Sequence, residues 1–308
     1  MAIQSPEQEI NIKDLVLEEP PKSPGVMFDP YVEISQPYGG VDKIKQEISL
    51  TKNKEDKNNL DKLKQLTGFK ILFPHEQQIP LTTEDQKNME TQFLSDLSME
   101  PQYHPTIYAN FFDNAIILAT LFSSGEHKID IDEEVYQQIA GMIKDLQELQ
   151  IKRPRLPQDP PFEESHKMYL AAGLKILFPN QPLPEKLYTE IKQELGAYYE
   201  MSKNRYLGKR TTSEDEDVYL TSYTAMKILF PDQFTPEDIQ AINERFRSNQ
   251  AKVRDSRDQF VWRFYIFRSA TLLRLLSDDA IKFTDHGIEF INDPISQPAE
   301  EIPQTRKF

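Results

Sequence analysis

The pentapeptide Lys-Ile-Leu-Phe-Pro at residues 70–74 recurs at residues 175–179 and again at residues 227–231. Three identical pentapeptides in one chain are very improbable by chance, so they indicate an internal repeat. The first interval between their phenylalanines is about twice the second. This spacing predicts a further, degenerate copy between the first two.

The degenerate copy is Leu-Ala-Thr-Leu-Phe-Ser at residues 118–123, which keeps the Leu-Phe pair but lacks the lysine and the proline. One period after the last pentapeptide, Leu-Leu-Arg-Leu-Leu-Ser at residues 272–277 provides a weaker fifth copy. The period is about 46–56 residues, which exceeds the ~34 residues of tetratricopeptide repeats, and the Trp, Gly and Tyr pattern of those repeats is absent.

Each copy combines the end of one helix with the start of a second. The proline cannot continue a helix, because its ring excludes the backbone hydrogen bond to the preceding turn. Downstream, Thr235, Pro236 and Glu237 supply a capping residue, a first-turn proline and an acid at the positive end of the next helix. The repeat is therefore a helical hairpin. The predicted first helices span residues 59–73, 105–122, 163–178 and 217–230.

Hairpins of this kind cannot bury their apolar faces alone, so the units are expected to stack. We predict an all-α fold in which four to five stacked helical hairpins span residues 55–292, as an α-solenoid or as a compact helical-repeat bundle. Residues 1–45 and 293–308 are predicted to be disordered tails, because their apolar residues are scattered among prolines and acids. The first helices are expected to end near Phe73, Phe122, Phe178, Phe230 and Leu276.

The composition excludes several classes of protein. The chain has 308 residues, 36 Lys and Arg against 50 Asp and Glu, a net charge of −14, 10 glycines and no cysteine. The absence of cysteine excludes disulfides, thiolate metal sites and a cysteine nucleophile. The first 15 residues lack a basic stretch followed by an apolar run, and no uncharged apolar run of about 18 residues occurs, so we expect no secretory signal and a cytoplasmic protein without a membrane partner.

Motifs that would indicate catalysis are also missing. The chain contains no Gly-rich phosphate loop, no Gly-x-Ser-x-Gly and no His-Glu-x-x-His. The acids around Asp130 lack the glycine that a calcium loop requires and are better explained as helix capping. We therefore expect no catalytic, cofactor-binding or metal-binding residues, and a protein that is not an enzyme.

Lys70, Lys175 and Lys227 are the candidate ligand-facing residues, because the lysine recurs in the three intact copies. In units stacked in parallel, their ammonium groups would form a row suited to an acidic or phosphate-bearing ligand. The alternative is that each lysine packs its stem and complements the negative end of its own helix. The sequence leaves both interpretations open.

The segment 245–274 is basic, with eight Arg or Lys residues against two acids, or three when Glu244 is included. It predicts contact with a phosphate backbone or an acidic partner, although a helix would disperse these charges around its surface. Our leading prediction is a scaffold or adaptor that binds a protein or peptide; the alternative is an RNA- or ribosome-associated factor that uses this segment. The candidate basic patch consists of Arg245, Arg247, Lys252, Arg254 and Arg257.

Overall fold

The chain folds as an all-α bundle with one small β-hairpin, which confirms the predicted fold class. The computed structural model describes residues 34–35, 38–51, 60–98, 105–152, 162–183, 185, 187–192, 213–231, 240, 243–244, 246–247, 259–276, 281–284 and 286–290.

The helices alternate along the chain as the repeat predicts. Helices α2, α4, α6 and α7 are the first helices of four units, α3 and α5 are second helices, and α8 ends where the fifth copy was expected to end. The helices are α1 (Val41–Leu50), α2 (Asp61–Leu72), α3 (Thr83–Ser98), α4 (Pro105–Leu121), α5 (Glu133–Lys152), α6 (Phe162–Leu177), α7 (Ser213–Leu229) and α8 (Gln259–Leu276). The hairpin is formed by β1 (Ile281–Thr284) and β2 (Gly287–Phe290).

The four repeated phenylalanines occupy equivalent positions, each immediately after the last residue of a first helix. In every copy the phenylalanine N–H donates to the carbonyl four residues earlier, at N···O distances from 2.7 to 3.0 Å. The rings of Phe73, Phe122 and Phe230 are buried, and that of Phe178 is half-buried. The motif therefore ends each first helix and fills the core at the same point, as the sequence predicted.

Consecutive units stack through equivalent positions of their second helices. Gln86, the fourth residue of α3, reaches the loop of the next unit, where its side-chain oxygen lies 3.3 Å from Nδ1 of His127. Tyr136, the fourth residue of α5, packs edge-on against Phe178 at a centroid distance of 5.2 Å. In the helical residues 187–192, the ring of Tyr188 lies 4.9 Å from that of Phe230, at a tilted angle of 46°.

The first helices close into a ring. Helix α2 packs against α4, α4 against α6, α6 against α7 and α7 against α8, and α8 returns to pack against α2. Two of these contacts are made at glycines: a Cβ on Gly68 would lie 2.5 Å from the ring of Phe267, and a Cβ on Gly173 would lie 2.5 Å from the ring of Phe111. Of the two architectures that the sequence left open, the molecule has the compact one.

Two elements were not predicted. Helix α1 begins at Val41, inside the segment 1–45 that was assigned to a tail, and it buries Ile44 and Ile48 on one face. The antiparallel hairpin pairs Ile281 with Phe290 and turns at Gly287, whose φ of 105° suits glycine. Most of the predicted N-terminal tail and all of the C-terminal one lie outside the described residues.

Within the described ranges, no helix combines the length and the apolar character needed to cross a lipid bilayer.

Candidate functional site

The three recurring lysines lie in the last turns of α2, α6 and α7. Lys70 donates a hydrogen bond of 2.6 Å from its Nζ to the carbonyl of Thr120 in α4, and burial lowers the pKa of this ammonium group. Lys175 donates from its Nζ to the carbonyl of Pro179 at 2.9 Å, while Lys227 is half-buried at the end of α7. The structure brings Lys175 and Lys227 to one cavity and places Lys70 at the boundary between α2 and α4.

The cavity that Lys175 and Lys227 share has a volume of about 480 Å³. It lies between the C-terminal ends of α6 and α7, strand β1 and the last turn of α8, and we call it the basic cavity. Lys282 on β1 and His286 in the hairpin turn also line it. Its volume falls within the range of ~300–1,000 Å³ typical of small-molecule pockets.

The electrostatic character of the basic cavity is opposite to that of the whole chain. None of its described lining residues is an aspartate or a glutamate, whereas the complete chain has a net charge of −14. One acid is nearby in the hairpin register, since Glu289 pairs with Lys282 across the two strands. Lys175 and Lys227 supply positive charge to this wall at the ends of α6 and α7.

The other part of the wall is apolar. It consists of the side chains of Ile228, Leu275, Ile281 and Phe283, all of which are half-buried. The prolines of two pentapeptide copies complete it, and they cannot donate a hydrogen bond from the backbone. A ligand with an anionic group and an apolar body would match both parts of this wall.

Strand β1 covers the helix ends because the hairpin turn docks on α4. Gly287 lies so close to the end of α4 that a Cβ there would stand 2.7 Å from the carbonyl of Ala119 and would overlap Ser123. The turn is braced internally: Thr284 donates from Oγ1 to the carbonyl of Gly287 at 3.2 Å and accepts from the backbone N–H of His286 at 3.3 Å. Helix α4, in the second unit of the repeat, thus positions the hairpin over the ends of α6 and α7 in the third and fourth units.

The candidate basic patch lies largely outside the described residues. Arg245, Lys252, Arg254 and Arg257 fall there, and Arg247 is exposed on the helical residues 246–247. Later in the same basic segment, Nη2 of Arg268 lies 2.7 Å from a carboxylate oxygen of Asp113 on α4, and Arg274 is buried. The ion pair between Arg268 and Asp113 joins α8 to α4.

Two groups of buried polar side chains, one around Asp96 and one around His166, were not anticipated from the sequence. The carboxylate of Asp96 accepts hydrogen bonds from the amides of Gln92 at 2.7 Å and Asn114 at 2.5 Å, and burial raises its pKa to about 6. His166 stacks on Tyr108 at a centroid distance of 4.5 Å. Burial lowers the pKa of His166 to about 4 and raises that of Tyr108 to about 12. Neither group lines the basic cavity.

In the part of the chain that the structure describes, no group of three or more His, Asp or Glu side chains is placed to hold a metal ion. The sequence missed Lys282 and His286 as lining residues because they lie outside the repeat. The repetition that revealed Lys175 and Lys227 gives no signal for them.

Comparisons with models of protein families, with curated proteins and with solved structures found no match to this chain. The function must therefore be argued from the chemistry of the site itself.

Proposed function

We propose that this protein is a non-enzymatic helical-repeat adaptor that binds an acidic segment of a partner protein in the basic cavity. The observation that supports the proposal is the convergence of Lys175 and Lys227, two copies of one repeated residue, on a cavity whose described lining contains no acid. Positive and negative patches that face each other steer association and select partners. A cytoplasmic location is part of the proposal, in keeping with a chain that has no cysteine.

The compact architecture supports docking of such a partner at one end of the bundle. Because α8 closes the array against α2, the described helices do not form the long concave face of an open solenoid. The end of the bundle where α6 and α7 terminate carries the positive charge instead. The adaptor would therefore take a short segment rather than an extended surface.

The experiment compares proteins captured from a cell extract by three forms of the full chain. These are the wild type, the double variant Lys175→Glu/Lys227→Glu, and Lys87→Glu, which makes one such charge reversal at an exposed position on α3 outside the cavity. We expect one or more proteins to be retained by the wild type and the Lys87 variant and lost by the double variant. Thermal unfolding followed by circular dichroism confirms that all three are folded. Capture of the same proteins by all three folded forms would refute the proposal.

A further inference from the structure

We infer that the partner segment binds in an extended conformation, as a third strand that pairs with the outer edge of β1 in the basic cavity. This inference rests on the proposed function and specifies the backbone conformation and the side-chain pattern of its partner. It is carried by the position of the cavity along β1, by the backbone groups that β1 directs into it, and by the alternation of the side chains of β1.

The basic cavity borders one edge of the hairpin. All four residues of β1, Ile281–Thr284, line it, whereas the described residues of β2 beyond the turn do not. Successive side chains of a strand point to opposite faces of the sheet, so a cavity that touches four successive residues of one strand borders its edge rather than one face. The opposite edge belongs to β2, which packs against α4. The cavity therefore lies at the edge of β1 that faces away from β2.

The backbone of β1 has hydrogen-bonding groups at this edge. Among the described residues the sheet consists of β1 and β2 alone, in an antiparallel register that pairs Ile281 with Phe290 and Thr284 with Gly287. In an antiparallel pair, the N–H and C=O groups of alternate residues point toward the partner strand, and those of the residues between them point away. Two of the four residues of β1 thus direct these groups to the cavity, where no backbone bond to a described loop or helix occupies them.

A row of main-chain donors and acceptors along a strand edge is complementary to the backbone of another strand. An added strand would lie about 4.8 Å from β1, and four paired residues would extend over about 14 Å. Strand addition of this kind obtains affinity from main-chain hydrogen bonds and specificity from alternate side chains. A second copy of this chain fits less well, because pairing of two β1 strands would bring their exposed Lys282 side chains together.

The register of β1 also specifies the side chains of the partner. Ile281 and Phe283 are half-buried and pack against the hydrophobic core, whereas Lys282 between them is exposed on the other face. A partner residue opposite Lys282 would lie on this exposed face, where an acid can form a cross-strand pair, as Glu289 of β2 can on the other side. The neighbours of that acid would lie on the face toward the core and would be apolar. The expected pattern is therefore apolar, acidic, apolar.

The first test titrates the full ¹⁵N-labelled chain with the peptide acetyl-Ser-Val-Glu-Val-Ser-amide and with two derivatives that each carry two N-methyl groups. One derivative is methylated at both valines, whose N–H groups lie at one edge of an extended peptide, and the other at the glutamate and the last serine, whose N–H groups lie at the opposite edge. Strand addition uses only one edge of the peptide. We therefore expect one derivative to bind as the parent peptide does and the other at least about tenfold more weakly, because two hydrogen bonds are lost.

Amide hydrogen exchange of β1 provides a second readout of the same complex. The two amides that face the cavity should exchange at least about tenfold more slowly when the parent peptide is bound, whereas the two that face β2 are protected already. Equal affinities of the two methylated derivatives would overturn the inference. Chemical-shift changes confined to residues outside the cavity, or failure of the parent peptide to bind, would also overturn it.

Lys282→Gln tests the position of the glutamate in the added strand. It should weaken binding of the parent peptide by about two- to fivefold, which is the contribution of one cross-strand ion pair. The control Lys87→Gln removes the same charge at an exposed position on α3 and should bind the peptide as the wild type does. Circular dichroism confirms that both variants are folded. Unchanged affinity of folded Lys282→Gln contradicts the register and, with it, the inference.

A second test separates this inference from the proposed function. The capture experiment is repeated with an excess of the parent peptide or of the weakly binding derivative. Release of the charge-dependent partner by the parent peptide alone supports strand addition. Retention of that partner, still dependent on Lys175 and Lys227, refutes the inference and leaves the adaptor proposal standing. If the peptides bind with the expected difference but no charge-dependent partner is captured, the proposed function fails and the edge of β1 remains a peptide site.

Discussion

Replacing Asp96 with asparagine should stabilise the protein at neutral pH. Asp96 is only 2% exposed on α3, and burial raises its pKa from 3.8 to about 6. Because the pKa is higher in the folded state than in the unfolded chain, the stabilising contribution of its proton is complete below pH 3.8 and is lost as the pH rises through 6. A shift of about two units corresponds to up to about 3 kcal/mol.

The amide of Asp96→Asn can replace most of the hydrogen bonds of the carboxylate. Its oxygen accepts one of the two bonds that Gln92 and Asn114 now donate. A 180° rotation of the Gln92 amide turns its oxygen toward the new N–H. If one hydrogen bond of about 1 kcal/mol is lost, the net gain in unfolding free energy at pH 7.5 is about 2 kcal/mol.

His166 provides a matched test with the opposite sign. It is 8% exposed, and burial lowers its pKa from 6.5 to about 4. As the pH falls from 6.5 to 4, the unfolded chain binds a proton that the buried imidazole does not, so the fold progressively loses stability. His166→Phe keeps an aromatic ring against Tyr108 and removes this titration. Its advantage over the wild type should therefore grow toward low pH, by up to about 3 kcal/mol.

The assay is urea unfolding of the wild type and the variants from pH 4 to pH 7.5, at low protein concentration because the isoelectric point is near 4.9. The unfolding free energy of Asp96→Asn relative to the wild type should rise with pH, and that of His166→Phe should fall. The exposed Asp145→Asn on α5 removes the same charge and should show neither slope. If the unfolding free energies of Asp96→Asn and His166→Phe, each relative to the wild type, changed with pH in the same direction, burial would not be the cause of the two pKa shifts.

Three further outcomes are expected. Gly68→Ala should lower the unfolding free energy by about 1–3 kcal/mol, because the new methyl group overlaps α8. Gly141 faces open space on α5, so Gly141→Ala should raise the unfolding free energy by about 0.5–1 kcal/mol. Thermal melts of the two variants measure these opposite shifts. Lys62→Met should lower the unfolding free energy measured in urea by about 3 kcal/mol. The substitution removes the ammonium group that lies 2.7 Å from the buried carboxylate of Asp85 and leaves that negative charge without its ion-pair partner. Arg247→Glu should leave any binding of single-stranded RNA unchanged in a salt titration, and a clear loss of affinity would favour the alternative function.

The repeat could be predicted from the sequence because the same local chemistry recurs at each helix end. Phe73, Phe178 and Phe230 precede prolines, so both the end of the helix and the burial of its last ring are encoded within a few residues. A second recurrence is also present in the sequence. Lys62 and Lys167 stand at the same distance before Phe73 and Phe178, and each ammonium faces an acid of its own unit's second helix.

The hairpin and the closed ring depend on contacts between distant segments, which local patterns do not encode. The hairpin has only four residues in each strand and is held by the docking of Gly287 on α4. Similarly, the identical motif positions of Lys70 and Lys175 lead to different partners. Lys70 finds the carbonyl of Thr120 in the neighbouring helix, and Lys175 bonds to Pro179 in its own unit. The repeated motif thus identified Lys175 and Lys227, but it did not distinguish these two cavity lysines from Lys70.

The contact between α2 and α8 has a consequence for synthesis on the ribosome. The two helices are roughly 200 residues apart in the chain. At a translation rate of about 5–20 residues per second, α8 is synthesised about 10–40 s later than α2. During that interval the side of α2 around Gly68 has no partner, because Phe267 and Thr271 have not yet been made. The nascent chain therefore completes its folding late, when its last helix leaves the exit tunnel.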